Sequence, residues 1–424
     1  MKITYITHAC QLIEVAGKRI LTDPWLVGAC WGGNLWHYPP PKRTPESISN
    51  IDYIYFSHIH DDHFHPESIA RLSEEVKKAQ VIISDFDKPY FERAVRAKGF
   101  DNILVLKHDE SINLVPGLKL DMIRNDIGDD DSSIVLQADD STVFCQTDNL
   151  MSLNEAKRLG NKYNVDLLFT MPTKTGIFPG FFEFPPDVMI DLAEKKSKSA
   201  RNYSLDVAQA LKAKVIVPYA SDICYLGDLY FANDLHFSDK QEYYNLAKER
   251  LPNAQVIPMG PNDEITINNG KIQTKISEPE YTRNNLAAYY VTMRQKVEAV
   301  KRQERCYVNT SYAQDIVGLR KGLDELTKQW KSDPFTVLWC IIDDNGNETT
   351  FWHCLPQTTT DTNTNKSYDL KIELPSYRLQ RLVRGDYFMG AITLWNGSIR
   401  CHRQTLELTK PESDFWRWII RLRL

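Results

Sequence analysis

Residues 55 to 65 read YFSHIHDDHFH, four histidines and two aspartates in eleven positions. They follow IDYIY (51 to 55), an apolar run that reads as a buried strand. Within the stretch, His58, His60, Asp62 and His63 form an H-x-H-x-D-H array. A turn leaving a strand end can aim two imidazoles at one point, and an aspartate with a third imidazole at another point a few ångströms away. A dinuclear metal site requires that arrangement. Neutral imidazole and carboxylate suit zinc, iron and manganese alike. A lone histidine here would read as a hydrogen-bonded turn residue; four at this spacing do not. His65 lies just outside the array and reads as a surface or supporting residue.

Upstream, ITYITHACQLIEVAGKRILTDP (3 to 24) alternates as a β-meander with a turn at Gly17-Lys18. Downstream, PESIARLSEEVKKA (66 to 79) has helical spacing after a proline start, and short β-rich runs follow in quick succession to STVFCQTD (141 to 148). PPDVMIDLAEKKSKSARNYSLDVAQALKA (185 to 213) reads as one long helix or two, leading into the buried strand KVIVPYASD (214 to 222). Strands outnumber helices, yet helices recur at intervals. The expected class is α/β, two packed sheets with helices outside, an αββα sandwich. Near residue 280 the character changes to a charged helical stretch through Lys331 and then to β-rich segments. The division expected is 1–280 for a catalytic domain and 281–424 for a smaller α+β domain. A polar loop at Thr358 to Asn365 interrupts the later strands.

Bulk properties agree with a chain that buries a large core. At 424 residues two domains are expected, and 25% charged residues against 42% hydrophobic argues against disorder. A net charge of −5 provides no global basic field, so nucleic acid is not expected as a partner and a small molecule is. The opening MKITYITHAC reads as a first strand rather than a leader, and no run reaches the roughly eighteen apolar residues of a membrane span. The expectation is a cytoplasmic protein without membrane association. The 8 cysteines are scattered with no CxxC pair and read as reduced, mostly buried thiols.

The array after a strand resembles the metallo-β-lactamase superfamily over about residues 1 to 275. THACQLIE, ILTDPWL and FCQTDN are spaced as in that family, and the resemblance implies that Asp148 bridges two metals. More narrowly, RILTDPWLVGACWGGNLWHYPPP, IDYIYFSHIHDDH and KVIVPYASD are similar to segments of the metallo-β-lactamase-like part of the CMP-N-acetylneuraminate hydroxylases. Those enzymes also carry a Rieske centre, which needs Cys-x-His and Cys-x-x-His pairs. Cys401-His402 and His353-Cys354 have the wrong spacing, so these residues hold no internal Rieske centre. The C-terminal YDLKIELPSYRLQRLVRGDYFMGAITLWNGSIRCHR (368 to 403) resembles a sterol-carrier-protein-2-like fold, implying an apolar groove or a surface through which copies of the chain associate.

Two departures stand out from the family pattern. Where a third histidine for the first metal is expected, this chain has RNDIGDDDSS, with Asn125, Asp126, Asp129, Asp130 and Asp131. Asp126 is taken as the substitute ligand. Where a late histidine is expected, VPYASD offers Ser221 and Asp222, and His236 is a more distant candidate. His8, in THACQLI, falls where related members place a pocket-edge histidine; it either orients substrate, supports a ligand or packs in the core. The aromatic stretches around Trp25 to Tyr38 and from 173 to 186 read equally as pocket lining and as core cover, and the basic run 194 to 201 as a solvated helix face or an anion site.

The first functional reading is a hydrolase of an ester, thioester, lactone or amide. It uses two divalent ions, iron or zinc with manganese as a further option, and assigns catalytic roles to Asp62 and His8. The second is a non-heme diiron oxygenase served by an external reductase, since no flavin or iron–sulfur motif occurs in these residues. The third is a binding module that has lost turnover.

Overall fold

The computed structural model describes residues 1–87, 89–128, 130–173, 178–237, 240–278, 281–305, 311–361, 367–385, 389, 392, 399–419 and 422. Among the described residues, seventeen strands precede residue 276. They are β1 (Lys2–Thr7), β2 (Cys10–Val15), β3 (Lys18–Thr22), β4 (Leu35–His37), β5 (Tyr53–Tyr55), β6 (Gln80–Ser84), β7 (Ile103–Leu106), β8 (Ser111–Val115) and β9 (Leu118–Arg124). There follow β10 (Ser132–Ala138), β11 (Ser141–Cys145), β12 (Leu167–Thr170), β13 (Val215–Pro218), β14 (Ile223–Tyr225), β15 (Gln255–Val256), β16 (Glu264–Asn268) and β17 (Lys271–Lys275).

One sheet runs β17-β16-β1-β2-β3-β5-β6-β7 and a second β15-β13-β12-β11-β10-β9-β8. Their inner faces meet in a core that joins Ile3, Tyr5, Ile20 and Ile82 to Leu120, Ile134, Leu136, Val143, Phe169 and Val217. Alternate residues point to opposite faces of a strand, so both outer faces are apolar as well and helices cover them. On the first sheet Leu12, Leu21, Ile54 and Val81 pack under α1 (Pro66–Ala70), α2 (Glu74–Lys77) and α3 (Tyr90–Ala97). On the second, Ile123, Val135, Phe144 and Ile216 pack under α4 (Leu153–Lys162), α5 (Pro186–Ala210) and, beyond the short α6 (Ala232–His236), α7 (Lys240–Arg250). The layers are therefore αββα, the expected sandwich.

Local details differ from the sequence reading. The stretch 66 to 79 forms two short helices, because Ser73 stops the first and caps the second by accepting from the Val76 N–H. The stretch from 185 becomes one helix of 25 residues. The charged stretch after 280 divides into α8 (Leu286–Arg305) and α9 (Tyr312–Thr327).

Beyond them lie β18 (Phe335–Ile342), β19 (Glu348–Leu355), β20 (Thr359–Thr360), β21 (Leu370–Pro375), α10 (Ser376–Val383), β22 (Arg400–Arg403) and α11 (Lys410–Ile419). Their sheet runs β20-β19-β18-β21-β22. Val337, Trp339, Ile372 and Leu374 meet Leu319 and Leu323 of α9, Leu379 and Leu382 of α10, and Phe415 and Ile419 of α11. The same cluster takes in Trp25, Trp31, Leu35, Phe181 and Phe182, so this region and the loops of the sandwich share one hydrophobic core. Asn396 and Gly397, within the stretch 368 to 403, lie outside the described residues. No described helix is long and apolar enough to cross a membrane.

Candidate metal centre

β1, β3 and β5 run parallel within the first sheet, and β11 lies parallel to β12 and β13 in the second. Their C-terminal ends open onto one rim, the edge where open α/β sheets gather functional side chains. His8 follows β1, Asp23 follows β3, the histidine array follows β5, and Asp148 follows β11; Asp131 precedes β10, whose start abuts the end of β11. The array forms because β5 ends at Tyr55 and the chain turns on itself: the N–H groups of His63 and Phe64 both donate to the His60 carbonyl. His65 then caps α1 by accepting from the Ser68 N–H, with Pro66 starting the helix.

The rim brings together two overlapping groups whose ligand atoms all lie within 4.8 Å of one another: His8, Asp62 and His63, and His58, His63 and Asp148. His8, His58, Asp62 and His63 are buried. Nε2 of His58, Nε2 of His63 and Oδ1 of Asp148 are buried atoms without a hydrogen-bond partner, the last two merely approaching at 3.4 Å. Native interiors seldom leave such atoms unsatisfied. Their convergence fits a bound cation, and the donor set of imidazole and carboxylate is that of a divalent transition metal. His60, partly exposed, stands with its ring 4.4 Å from that of His58 and belongs to neither group.

Second-sphere contacts orient the imidazoles. The Nδ1 of His63 donates to Asp23 Oδ2 at 2.9 Å, and Asp23 is in turn held by the Ser57 N–H at 2.8 Å and the Ser57 hydroxyl at 2.7 Å. A proton kept on Nδ1 leaves the Nε2 lone pair facing the centre. His58 has Asp131 Oδ1 3.1 Å and Ser57 Oγ 2.9 Å from its Nδ1. The turn at His8 is pinned through Asp222, which accepts from the Tyr5 hydroxyl and the His8 N–H and pairs with Lys240. Thr147, next to Asp148, is fixed by its N–H to the Tyr219 hydroxyl. Four residues of this rim take the left-handed backbone region despite carrying a Cβ: His8, Asp23, Thr147 and Ala220. Such conformations cost of order 1–3 kcal/mol each and persist only where the surroundings impose them.

Charge follows the same geometry. Burial opposes the imidazolium of His63, yet Asp148, Asp23 and Asp62 around it raise its pKa well above the ordinary value. Burial likewise opposes the Asp62 carboxylate, but His63, His8 and His60 hold it well below the usual range. His58, with burial and neighbouring imidazoles acting together, is pushed down and stays neutral, the form that ligates. Asp61, beside Asp62, is pushed up to about 6 by burial and by its neighbour's charge.

Several expectations are corrected by placement. Asp126 is exposed, and its carboxylate accepts from the Ser152 N–H at the start of α4; the acid that meets the array is Asp131, five residues later. Asp129 lies outside the described residues. Asp222 is consumed by Lys240 and Tyr5, and His236 ends α6 outside both groups. The basic run 194 to 201 lies on α5, where Arg201 pairs with Glu242. Asp23 and Ser57 had no assigned role in the sequence reading, and Asp131 was one of several acids considered there beside the preferred Asp126. A serine directly before the array and an aspartate closing β3 were visible, but their partners were not.

Residues 2–152 match the family model described as the beta-lactamase superfamily domain. A cytidine monophosphate-N-acetylneuraminic acid hydroxylase from Cricetulus griseus is 34% identical over 92 residues, 22% of this chain and 16% of the relative. The hydroxylase of the same name from Macaca mulatta is 22% identical over 287 residues, 64% of this chain and 46% of the relative. The chain thus spans less than half the length of these relatives. Among solved structures, an isothiocyanate hydrolase from Delia radicum gut bacteria superposes with a TM-score of 0.46 at 16% identity, covering 63% of this chain and 99% of that one.

Proposed function

We propose that this chain is a metal-dependent hydrolase with a dinuclear centre at the sandwich rim, cleaving an ester, thioester, lactone or amide of a small organic substrate. The observation behind this reading is the meeting of three buried, unsatisfied donor atoms, from His58, His63 and Asp148, with His8 and Asp62 alongside. Two divalent ions held there by these residues would supply a hydroxide nucleophile near neutral pH and Lewis-acid polarisation of a carbonyl. The residues divide the remaining work. Asp23 keeps a proton on Nδ1 of His63, and Asp131 faces the corresponding atom of His58, so both rings present Nε2 inward. Asp62, held ionised by the imidazoles around it, has Oδ2 3.4 Å from His8 Nε2 and can accept a proton from an attacking water. His8, buried against Trp25 at a ring distance of 5.4 Å, is stiff enough to orient what enters beside Asp62.

A second reading, a diiron hydroxylase fed by an external reductase, is favoured by one specific pairing of observations. Both curated relatives named above are hydroxylases, and two carboxylates, Asp62 and Asp148, stand among the candidate ligands. Donor sets richer in oxygen shift preference from zinc toward iron.

Elemental analysis of protein purified without added metal, with an acyl-substrate panel and an oxygen electrode, tests both. The hydrolase reading expects two ions per chain and turnover on the panel without oxygen uptake. Reductant-dependent oxygen consumption by iron-loaded protein would replace it with the hydroxylase. Protein that binds no metal would remove both.

A further inference from the structure

The loop between β3 and β4 places Trp31 against the centre. Its indole Nε1 donates to Asp62 Oδ1 at 3.1 Å, and its ring meets the His60 ring edge-on at 5.2 Å. Trp31 is 2% exposed and takes the left-handed backbone region at φ 51°, between glycines at 28, 32 and 33 that do the same. A free tryptophan would not choose this conformation. What imposes it comes largely from the far end of the chain. Arg378 of α10 donates from Nη2 to the Gly32 carbonyl at 3.2 Å and from Nη1 to Glu304 of α8 at 2.7 Å, while Arg381 meets the other Glu304 oxygen at 3.0 Å. All three side chains of this cluster are nearly buried. Val300 of α8 occupies the space a side chain on Gly33 would need, so the loop is clamped from above as well.

The two oxygens of Asp62 consequently differ. Oδ1 is held by the Trp31 indole, while Oδ2 lies 3.4 Å from His8 Nε2 and 3.9 Å from His63 Nε2. We infer that Trp31 is a positioning residue for the His8–Asp62–His63 half of the centre, and that the buried Glu304–Arg378–Arg381 cluster is what holds it in place. The inference rests on the dinuclear reading above. On this view α8 and α10, which lie outside the 2–152 match, help set metal affinity inside it. His58 and Asp148 belong to the other group alone, so the ion they hold should depend on Trp31 less.

The test is a competitive titration of metal-free full-length protein with cobalt(II), followed by its visible spectrum and a chromophoric chelator. Trp31→Phe keeps the ring packing and deletes only the N–H. Loss of an orienting partner of a ligand costs about 10–100-fold in metal affinity, so one of the two ions should weaken by that factor while the other weakens less. Glu304→Gln, which keeps the side-chain shape and removes the charge that gathers the two arginines, should move the same ion in the same direction. Unchanged binding of both ions in Trp31→Phe overturns the inference and leaves the dinuclear reading standing. Equal weakening of both ions with a lower melting temperature also overturns it, since a merely structural tryptophan would behave that way. A parent protein that binds fewer than two ions overturns the dinuclear reading, and the inference with it.

Discussion

Two fully buried histidines, one at the rim and one in the five-stranded sheet, have opposite electrostatic fates. His63 faces three carboxylates, which overcome the effect of burial and raise its pKa. His353, on β19, lies 5.8 Å from the Trp418 ring with Nε2 at the Thr327 hydroxyl, and burial pushes it down to about 4. Burial alone makes an imidazole neutral and part of the packing. Carboxylates arranged around it make it a site. The backbones differ in the same sense. At the rim His8, Asp23, Trp31, Thr147 and Ala220 adopt the left-handed region, whereas between 335 and 403 the described residues that do so are Gly346 and Gly385, which bear no Cβ cost. The sheet relaxes where the rim is held under strain.

The largest effect belongs to His63→Ala: its one Nε2 lone pair, the atom on which the two groups overlap, is lost, so metal content by elemental analysis should fall by at least one ion and turnover with it. His353→Leu should leave metal content intact and register only in thermal unfolding. If the two variants lose metal alike, the distinction fails. Next is Asp23→Asn, which leaves one acceptor oxygen where Asp23 offers two charged ones, so Ser57 and His63 Nδ1 can no longer both be served as before; metal affinity by chelator competition should fall about 10–100-fold.

The pH dependence of stability comes third. His353 and His65 both have folded pKa values of about 4, below their unfolded value. The unfolded chain therefore binds more protons between those limits, and stability should be full above about pH 6.5 and fall toward pH 4, by at most about 1.4 kcal/mol per pH unit for each histidine. Urea denaturation of the parent and of His353→Leu should show a shallower acid slope in the variant, which has lost one of the histidines whose pKa burial lowers. His63 has the opposite sign: without metal, what it contributes is present below its unfolded pKa and lost as pH rises through its raised folded value. Metal competes with that proton, so metal affinity should rise with pH. The smallest effect is expected of Asp126→Asn, an exposed cap near α4, which should leave metal binding unchanged while Asp131→Asn weakens it.

Legibility divided along the line between local and distant information. The strand before the array, the histidine spacing and the layered α/β pattern each rest on residues close together along the chain, and periodicity reports such neighbours directly; Asp148 was reached through the family resemblance. Asp126 was preferred to Asp131 because nothing in RNDIGDDDSS says where β10 begins; its pairing with β9 and β11 decides which acid reaches His58. The single helix α5 was likewise settled by the sheet face it covers, whereas the break between α1 and α2 follows from the local Ser73 cap.

By itself, then, the sequence determined the sandwich class, the rim on which the array opens, and the residue types able to hold a metal. Only the tertiary structure decided that Asp23 orients His63 from 40 residues away and that Arg378 reaches Gly32 across 346. The physical reason is that a hydrogen bond depends on where two atoms lie in space. Sheet register and helix packing bring those atoms together, and no spacing along the chain encodes either one.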